Sequence, residues 1–104
     1  MADVIDVPDA KRFEIRVDGE VAGFVTYRQM PDGLAMVHTE IAPRFEGQGL
    51  GSELAEGALG AARDAGAAVL PYCPFLRSYV QRHPEWVPLV PQAHREEFGL
   101  ADAG

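Results

Sequence analysis

The run Glu46-Gly47-Gln48-Gly49-Leu50-Gly51-Ser52 sets three glycines at alternating positions, directly after the strand-like stretch Gly33–Ile41 and directly before a strongly helical one. A loop stripped of side chains at a helix N-terminus leaves amide N–H groups open to a ligand, and the helix dipole favours a negative one. The chemistry this pattern offers is phosphate binding. A tight strand-to-helix turn that binds nothing has the same composition. Two further residues carry chemistry of their own. Cys73 precedes Pro74, which favours extended backbone before it and suits the first helical position, so Cys73 is expected as a helix N-cap. A thiol there has its thiolate stabilised by the dipole and is a candidate nucleophile; a small buried residue that merely packs is the other reading. His38 stands on the strand that feeds the glycine loop, and alternation from Leu34 puts Leu34, Met36, His38 and Glu40 on one face. An imidazole titrates near neutrality, which suits a general base, although a structural hydrogen bond would explain His38 as well. His83 and His94 read as a helix end and a tail residue, and three histidines with one cysteine show no metal-ligand spacing. No metal is expected.

The glycine loop excludes two common nucleotide sites. A dinucleotide fingerprint would place glycine where Ser52 stands and an acidic residue at the end of the next strand, which instead reads Tyr72-Cys73-Pro74. A P-loop needs Gly-Lys-Ser/Thr, and the loop has no lysine.

The elements that must position these residues follow in a β-β-β-α-β-α order, a mixed α/β class. Phe13, Ile15 and Val17 alternate within Arg12–Val17, Asp18-Gly19 marks a turn, Glu20–Met30 is β-rich, and Pro31-Asp32-Gly33 turns the chain into Leu34–Ile41. Behind the loop, Leu50, Leu54, Ala58, Ala61 and Ala65 form one apolar stripe of a helix, with Gly66 at its C′ position. A short buried strand is expected over Ala67–Cys73, then a helix from Pro74 to Arg82 that stops at His83 because Pro84 follows. The remainder carries Pro88 and Pro91 and a short helical turn ending at Phe98-Gly99.

With 104 residues the chain is one domain, long enough to bury a core. A hydrophobic fraction of 47% and a charged fraction of 24% describe an ordinary soluble domain. The formal net charge of −7 speaks against nucleic acid and is compatible with a cationic substrate such as an amine. One cysteine permits no internal disulfide and fits a reducing compartment. The start Met-Ala-Asp-Val-Ile-Asp lacks the basic and apolar parts of a signal peptide, and the longest apolar stretch, around Ala65–Leu76, is interrupted by Gly66, Pro71 and Pro74. A cytoplasmic protein with no membrane partner is expected.

The segment from His38-Thr39-Glu40-Ile41 through Gly47-Gln48-Gly49-Leu50-Gly51-Ser52-Glu53-Leu54 resembles the acetyl-coenzyme A (acetyl-CoA) motif of the GNAT superfamily of N-acetyltransferases. More narrowly, Tyr72-Cys73-Pro74-Phe75 and Arg82-His83-Pro84-Glu85-Trp86 make the chain similar to the short single-domain GNAT-like subgroup, from about residue 5 to residue 90. The resemblance implies a compact GNAT-like fold over residues 1–90, antiparallel strands leading into a β-α-β-α cofactor-binding half, with 91–104 as a C-terminal tail. It implies that Gly47, Gln48, Gly49, Leu50, Gly51 and Ser52 hold the pyrophosphate of acetyl-CoA. The pantetheine arm would then run between splayed parallel strands ending at Ile41 and Cys73, a splay that Pro71 suits. It implies an acetyl transfer to an amine, with His38 as base for the amine or for Cys73, and Cys73 as a possible acyl acceptor. Tyr79, one turn after Phe75, occupies the place of a tyrosine acid in some relatives, with core packing as its other reading. Glu46 departs from the motif, which opens there with Arg or Gln; a carboxylate beside a pyrophosphate predicts weaker affinity unless Arg44 compensates.

Two other classes of function remain open on the sequence. One is a coenzyme A or acyl-CoA-binding module with little catalysis, in keeping with Glu46 and the short chain. The other is an interaction protein that uses its proline-containing tail. The acceptor, whether a protein lysine, a polyamine or a small amine, is not written in the chain.

Overall fold

Asp18 and Gly19 both adopt positive φ, 51° and 81°. This two-residue turn matches the twist of the strands it joins, β2 (Arg12–Val17) and β3 (Glu20–Met30). Pro31-Asp32 forms the next reversal, into β4 (Gly33–Ile41). These elements come from a computed structural model that describes residues 2–100. An additional strand, β1 (Ala2–Val7), pairs antiparallel with β2, and a 3-10 turn at Pro8–Ala10 connects the two. After β4 come a 3-10 turn at Pro43–Phe45, helix α1 (Leu50–Asp64), β5 (Val69–Pro71), helix α2 (Pro74–Arg82), a 3-10 segment at Pro84–Leu89 and the single turn α3 (Gln92–Arg95).

The sheet has five strands in the order β1-β2-β3-β4-β5, all antiparallel except the β4/β5 pair. Helix α1 packs across β1 to β4 and also touches α2. Its inner face is Leu50, Leu54, Ala55, Ala58, Leu59 and Ala62, set against Phe13, Ile15, Val25 and Met36 of the sheet. The expected stripe therefore shifts by one position at its end: Ala61 and Ala65 are exposed and Ala62 is buried. Alanine carries too little apolar surface to mark the face by itself. Gly66 ends α1 as expected, with its N–H donated to the Arg63 carbonyl (3.0 Å) and that of Ala67 to Ala62 (2.9 Å).

Two further expectations change. Strand β5 is confined to three residues rather than spanning Ala67–Cys73, because Pro71 has no N–H with which to continue the ladder. The segment set apart as a tail contributes to the core up to the last described residue: Phe98 and Leu100 are buried, and Phe98 packs edge-on against Tyr72 at 5.1 Å. His94 fastens this segment to the β3–β4 turn through Asp32 (3.0 Å) and also pairs with Glu97.

Candidate functional site

The site begins where two strands part. Strand β4 pairs with β5 only from Leu34↔Val69 to Met36↔Pro71, while its own hydrogen bonding to β3 continues to Ile41. The last backbone link across the junction is the Cys73 amide, which donates to the Met36 carbonyl (2.8 Å). Beyond it the chain turns into α2, and residues 37–41 of β4 have no β5 neighbour. Proline at the end of β5 and a helix starting three residues later enforce that separation.

The glycine loop lies at the far end of β4. Gly47 and Gly49 have φ of 82° and 74°, a left-handed conformation that glycine adopts at no steric cost, and an added Cβ at either would meet no atom within 4 Å. The first α1 amide to find a helical acceptor is that of Glu53, bonded to the Gly49 carbonyl (3.3 Å). The amides of Leu50, Gly51 and Ser52 belong to the unpaired first turn. The loop thus offers these donors beside two positions, Gly47 and Gly49, that carry no side chain and have open space around them. Gly51 faces the Phe75 ring, whose Cζ would lie 2.9 Å from an added Cβ, so the N-terminal turns of α1 and α2 converge here. The loop follows the end of β4 that β5 leaves unpaired, after the 3-10 turn at Pro43–Phe45.

His38 and Cys73 do not meet. Thr26 pairs with His38 and Tyr27 with Met36, so Val37 is an extra residue, a β-bulge. The bulge breaks the alternation on which one shared face for Met36 and His38 depends. Met36 is fully buried, whereas the His38 side chain is 61% exposed and lies 3.8 Å from Glu40. His38 also approaches the Phe24 ring, at 6.3 Å between centroids, on the sheet face away from α1. Thr39 points the other way: its Oγ1 is 3.2 Å from the Cys73 Sγ. Cys73 is the N-cap of α2, as the Cys-Pro dipeptide predicts, and is only 3% exposed. Its carbonyl accepts from the Arg77 amide (2.9 Å). The histidine and the thiol therefore flank β4 on opposite faces.

The remaining candidates sort as follows. Ile41 is half-buried at the end of β4, against Gly23, in a shallow cavity of about 220 Å³ that also involves Phe24 and Pro43. Tyr79 is buried against His83, with ring centroids 4.3 Å apart. Burial and the neighbouring Glu56 raise its pKa, opposed by a hydrogen bond with Trp86. These contacts place its side chain among α1 and the segment after α2. Arg44 pairs with Glu20 and stacks on Phe45 at 4.6 Å, so it does not neutralise the exposed Glu46. Thr39 is the site residue that sequence reading passed over, although strand parity alone sets it opposite His38. On the His38 face, Glu14 is buried between Arg12 and Arg16, with ion pairs of 2.6 and 2.7 Å. The Arg16 hydrogen bond holds its carboxyl below the usual range, burial working against this and Arg12 with it.

Among the described residues no group of three His, Cys, Asp or Glu could hold a metal ion, and no helix is long and apolar enough to cross a membrane. No curated protein matches the chain. The profile of the GCN5-related N-acetyl-transferase family matches residues 12–89, from the start of β2 to the end of the 3-10 segment after α2. That stretch contains the sheet's parted strands, the glycine loop, the bulged β4 and the Cys73 cap, and the chain belongs to the GCN5-related N-acetyl-transferase family.

Proposed function

We propose that the protein transfers the acetyl group of acetyl-CoA to an amine. The observation that carries this reading is the parting of β4 and β5 beyond Met36 and Pro71, next to the open amides of Gly47 to Ser52. These residues fit the donor: the bare glycine loop would hold the pyrophosphate, and the gap beside Thr39 and Cys73 would hold the thioester end. Bound acetyl-CoA supplies a thioester carbonyl that an amine attacks, with release of the coenzyme A thiol. His38, on the exposed face of β4, takes the proton from the attacking amine nitrogen. Cys73 lines the opposite wall, its Sγ against the Thr39 hydroxyl. Direct transfer is the simpler route, because the base nearest the open face is not the base of Cys73. In the two-step variant the Cys73 sulfur accepts the acetyl group first and passes it to the amine.

Glu46 favours a second reading. An unneutralised carboxylate at the mouth of the loop weakens anion binding, which suits a coenzyme A-binding module with little turnover. Thermal-shift titration decides on the cofactor. Acetyl-CoA at ten times its Kd adds about 1.4 kcal/mol, which is about 6–11 °C in Tm for a domain of this size. His38→Ala keeps that shift and loses about 10²-fold or more in turnover if His38 is the base. Intact mass after rapid acid quench shows an acetyl adduct on the wild type, absent from Cys73→Ala, only in the two-step route. No thermal shift with acetyl-CoA overturns both readings, and a shift with no thiol release from any amine leaves the module.

A further inference from the structure

The sheet face that presents His38 also carries a cleft of about 780 Å³ lined by Lys11, Thr26, Arg28, Gln29, Met30 and Val37. Its position is fixed by register. Thr26 pairs with His38, and Val37 is the bulged residue beside it. Arg28 follows Thr26 on the same face, about 7 Å further along the strand. Lys11 adjoins it, since the Tyr27 amide donates to the Lys11 carbonyl (2.9 Å). The cleft therefore runs from the His38 position toward the start of β4, while the glycine loop lies beyond the other end of that strand. The parted strands stand between them.

Its charge is unlike that of the rest of the chain. The net charge is −7, and several cations outside the cleft already have carboxylate partners: Arg12 and Arg16 share Glu14, Arg44 pairs with Glu20 and Arg63 with Asp64. Among the described residues neither Lys11 nor Arg28 has a carboxylate partner. Two cations without counter-ions thus share one cleft with the Thr26 hydroxyl and the Gln29 amide. Such a set recognises an anion, and an arginine fork matches the two oxygens of a carboxylate.

We propose that this cleft is the acceptor pocket and that Lys11 and Arg28 bind a carboxylate carried by the acceptor amine. The assignment of an acceptor rests on the acetyltransferase reading; the carboxylate site itself does not. The substrate class is a small primary amine with a carboxylate several bonds from the nitrogen, so that the amine reaches His38 while the carboxylate stays at Arg28.

6-Aminohexanoate and hexylamine share the amine and chain length and differ in the carboxylate. Amide chemical shifts of the protein are followed during titration with each. 6-Aminohexanoate is expected to shift Lys11, Thr26, Arg28 and Val37 and to bind about fivefold or more tightly than hexylamine, a preference that shrinks in high salt. Arg28→Gln and Lys11→Gln are each expected to cut the preference about two- to fivefold, and the double variant to abolish it, whereas Arg63→Gln preserves it. With acetyl-CoA present, the same ratio appears in KM for thiol release. Equal affinity for the two amines, or shifts confined to other surfaces, overturns the carboxylate site whatever acetyl-CoA does. A cleft that prefers 6-aminohexanoate in a protein that acetyl-CoA does not stabilise upholds the carboxylate site and refutes the acetyl donor instead.

Discussion

Replacing Gly49 by alanine and by asparagine separates what the glycine loop does for folding from what it does for binding. Gly49 sits at the N-terminal cap of α1 with φ 74°. Alanine in that region costs about 1–2 kcal/mol, whereas asparagine tolerates it and also caps helices well. No steric term adds to this, because a Cβ at Gly49 has no atom within 4 Å in the free protein. At about 4–8 °C per kcal/mol for a small domain, Gly49→Ala should lower the Tm by about 4–16 °C. Gly49→Asn should stay within about 4 °C of wild type. The acetyl-CoA response should not follow that order. Either side chain enters the space where the phosphate would approach the amides, so both variants should lose most of the ligand-induced shift, asparagine despite its intact fold. Differential scanning fluorimetry with and without acetyl-CoA reads both quantities in one experiment. A full ligand shift in Gly49→Asn would show that the loop amides are not the anion cradle. An unchanged Tm in Gly49→Ala would refute the backbone argument itself.

The other predictions concern packing and titration. In Gly57→Ala the new Cβ would lie 2.5 Å from a Val4 methyl; overpacking of about 1–3 kcal/mol outweighs a helix-propensity gain of about 1 kcal/mol. Urea unfolding should show a net loss that Val4→Ala partly restores, and additive losses in the double variant would sink the contact. Glu14 titrates below its ordinary 4.5, so its stabilising effect is complete above that pH and fades as pH falls through the lower folded value. Glu14→Gln should therefore be less stable than wild type at neutral pH, and the gap should close on acidification. His94 is raised above 6.5 chiefly by Glu97 and then by Asp32, so its contribution is complete below 6.5 and is lost as pH rises through the folded value. Tm measured across that rise should fall more steeply in wild type than in His94→Gln, and parallel curves would show that the His94 contacts with Asp32 and Glu97 do not stabilise the fold.

Legibility in the sequence tracked how local each cause was. The Asp18-Gly19 turn, the Gly66 cap, the Cys73-Pro74 helix start and the His83-Pro84 stop are each decided by one or two residues, and all four stand where the residues predict. Features set by partners far along the chain were not legible. Ala2–Val7 becomes a strand because β2 offers it an edge and Gly57 leaves room for Val4. Phe98 is buried because Tyr72 and the Gln81 amide receive it, the latter donating to the Phe98 carbonyl at 3.0 Å. Lys11 and Arg28 are adjacent only through the pairing of β2 with β3, and no spacing between positions 11 and 28 announces it.

The bulge at Val37 is the feature on which the chemistry of the site turns. Without it β4 would alternate from Leu34 to Glu40, and His38 would lie on the buried side with Met36. One extra residue advances the register by half a period, so that His38 turns outward and Thr39 takes the inner place against Cys73. The same residue stands where the backbone link to β5 ends, the Cys73 amide on Met36 being the final main-chain bond. A ligand tail entering the gap would thus have Cys73 and Thr39 on one side and His38 on the other. An acceptor on the open face would meet His38 without crossing the helical layer. For the proposed reaction that arrangement favours direct transfer over a relay through the thiol, because His38 on one face cannot reach the Cys73 thiol on the other to take its proton.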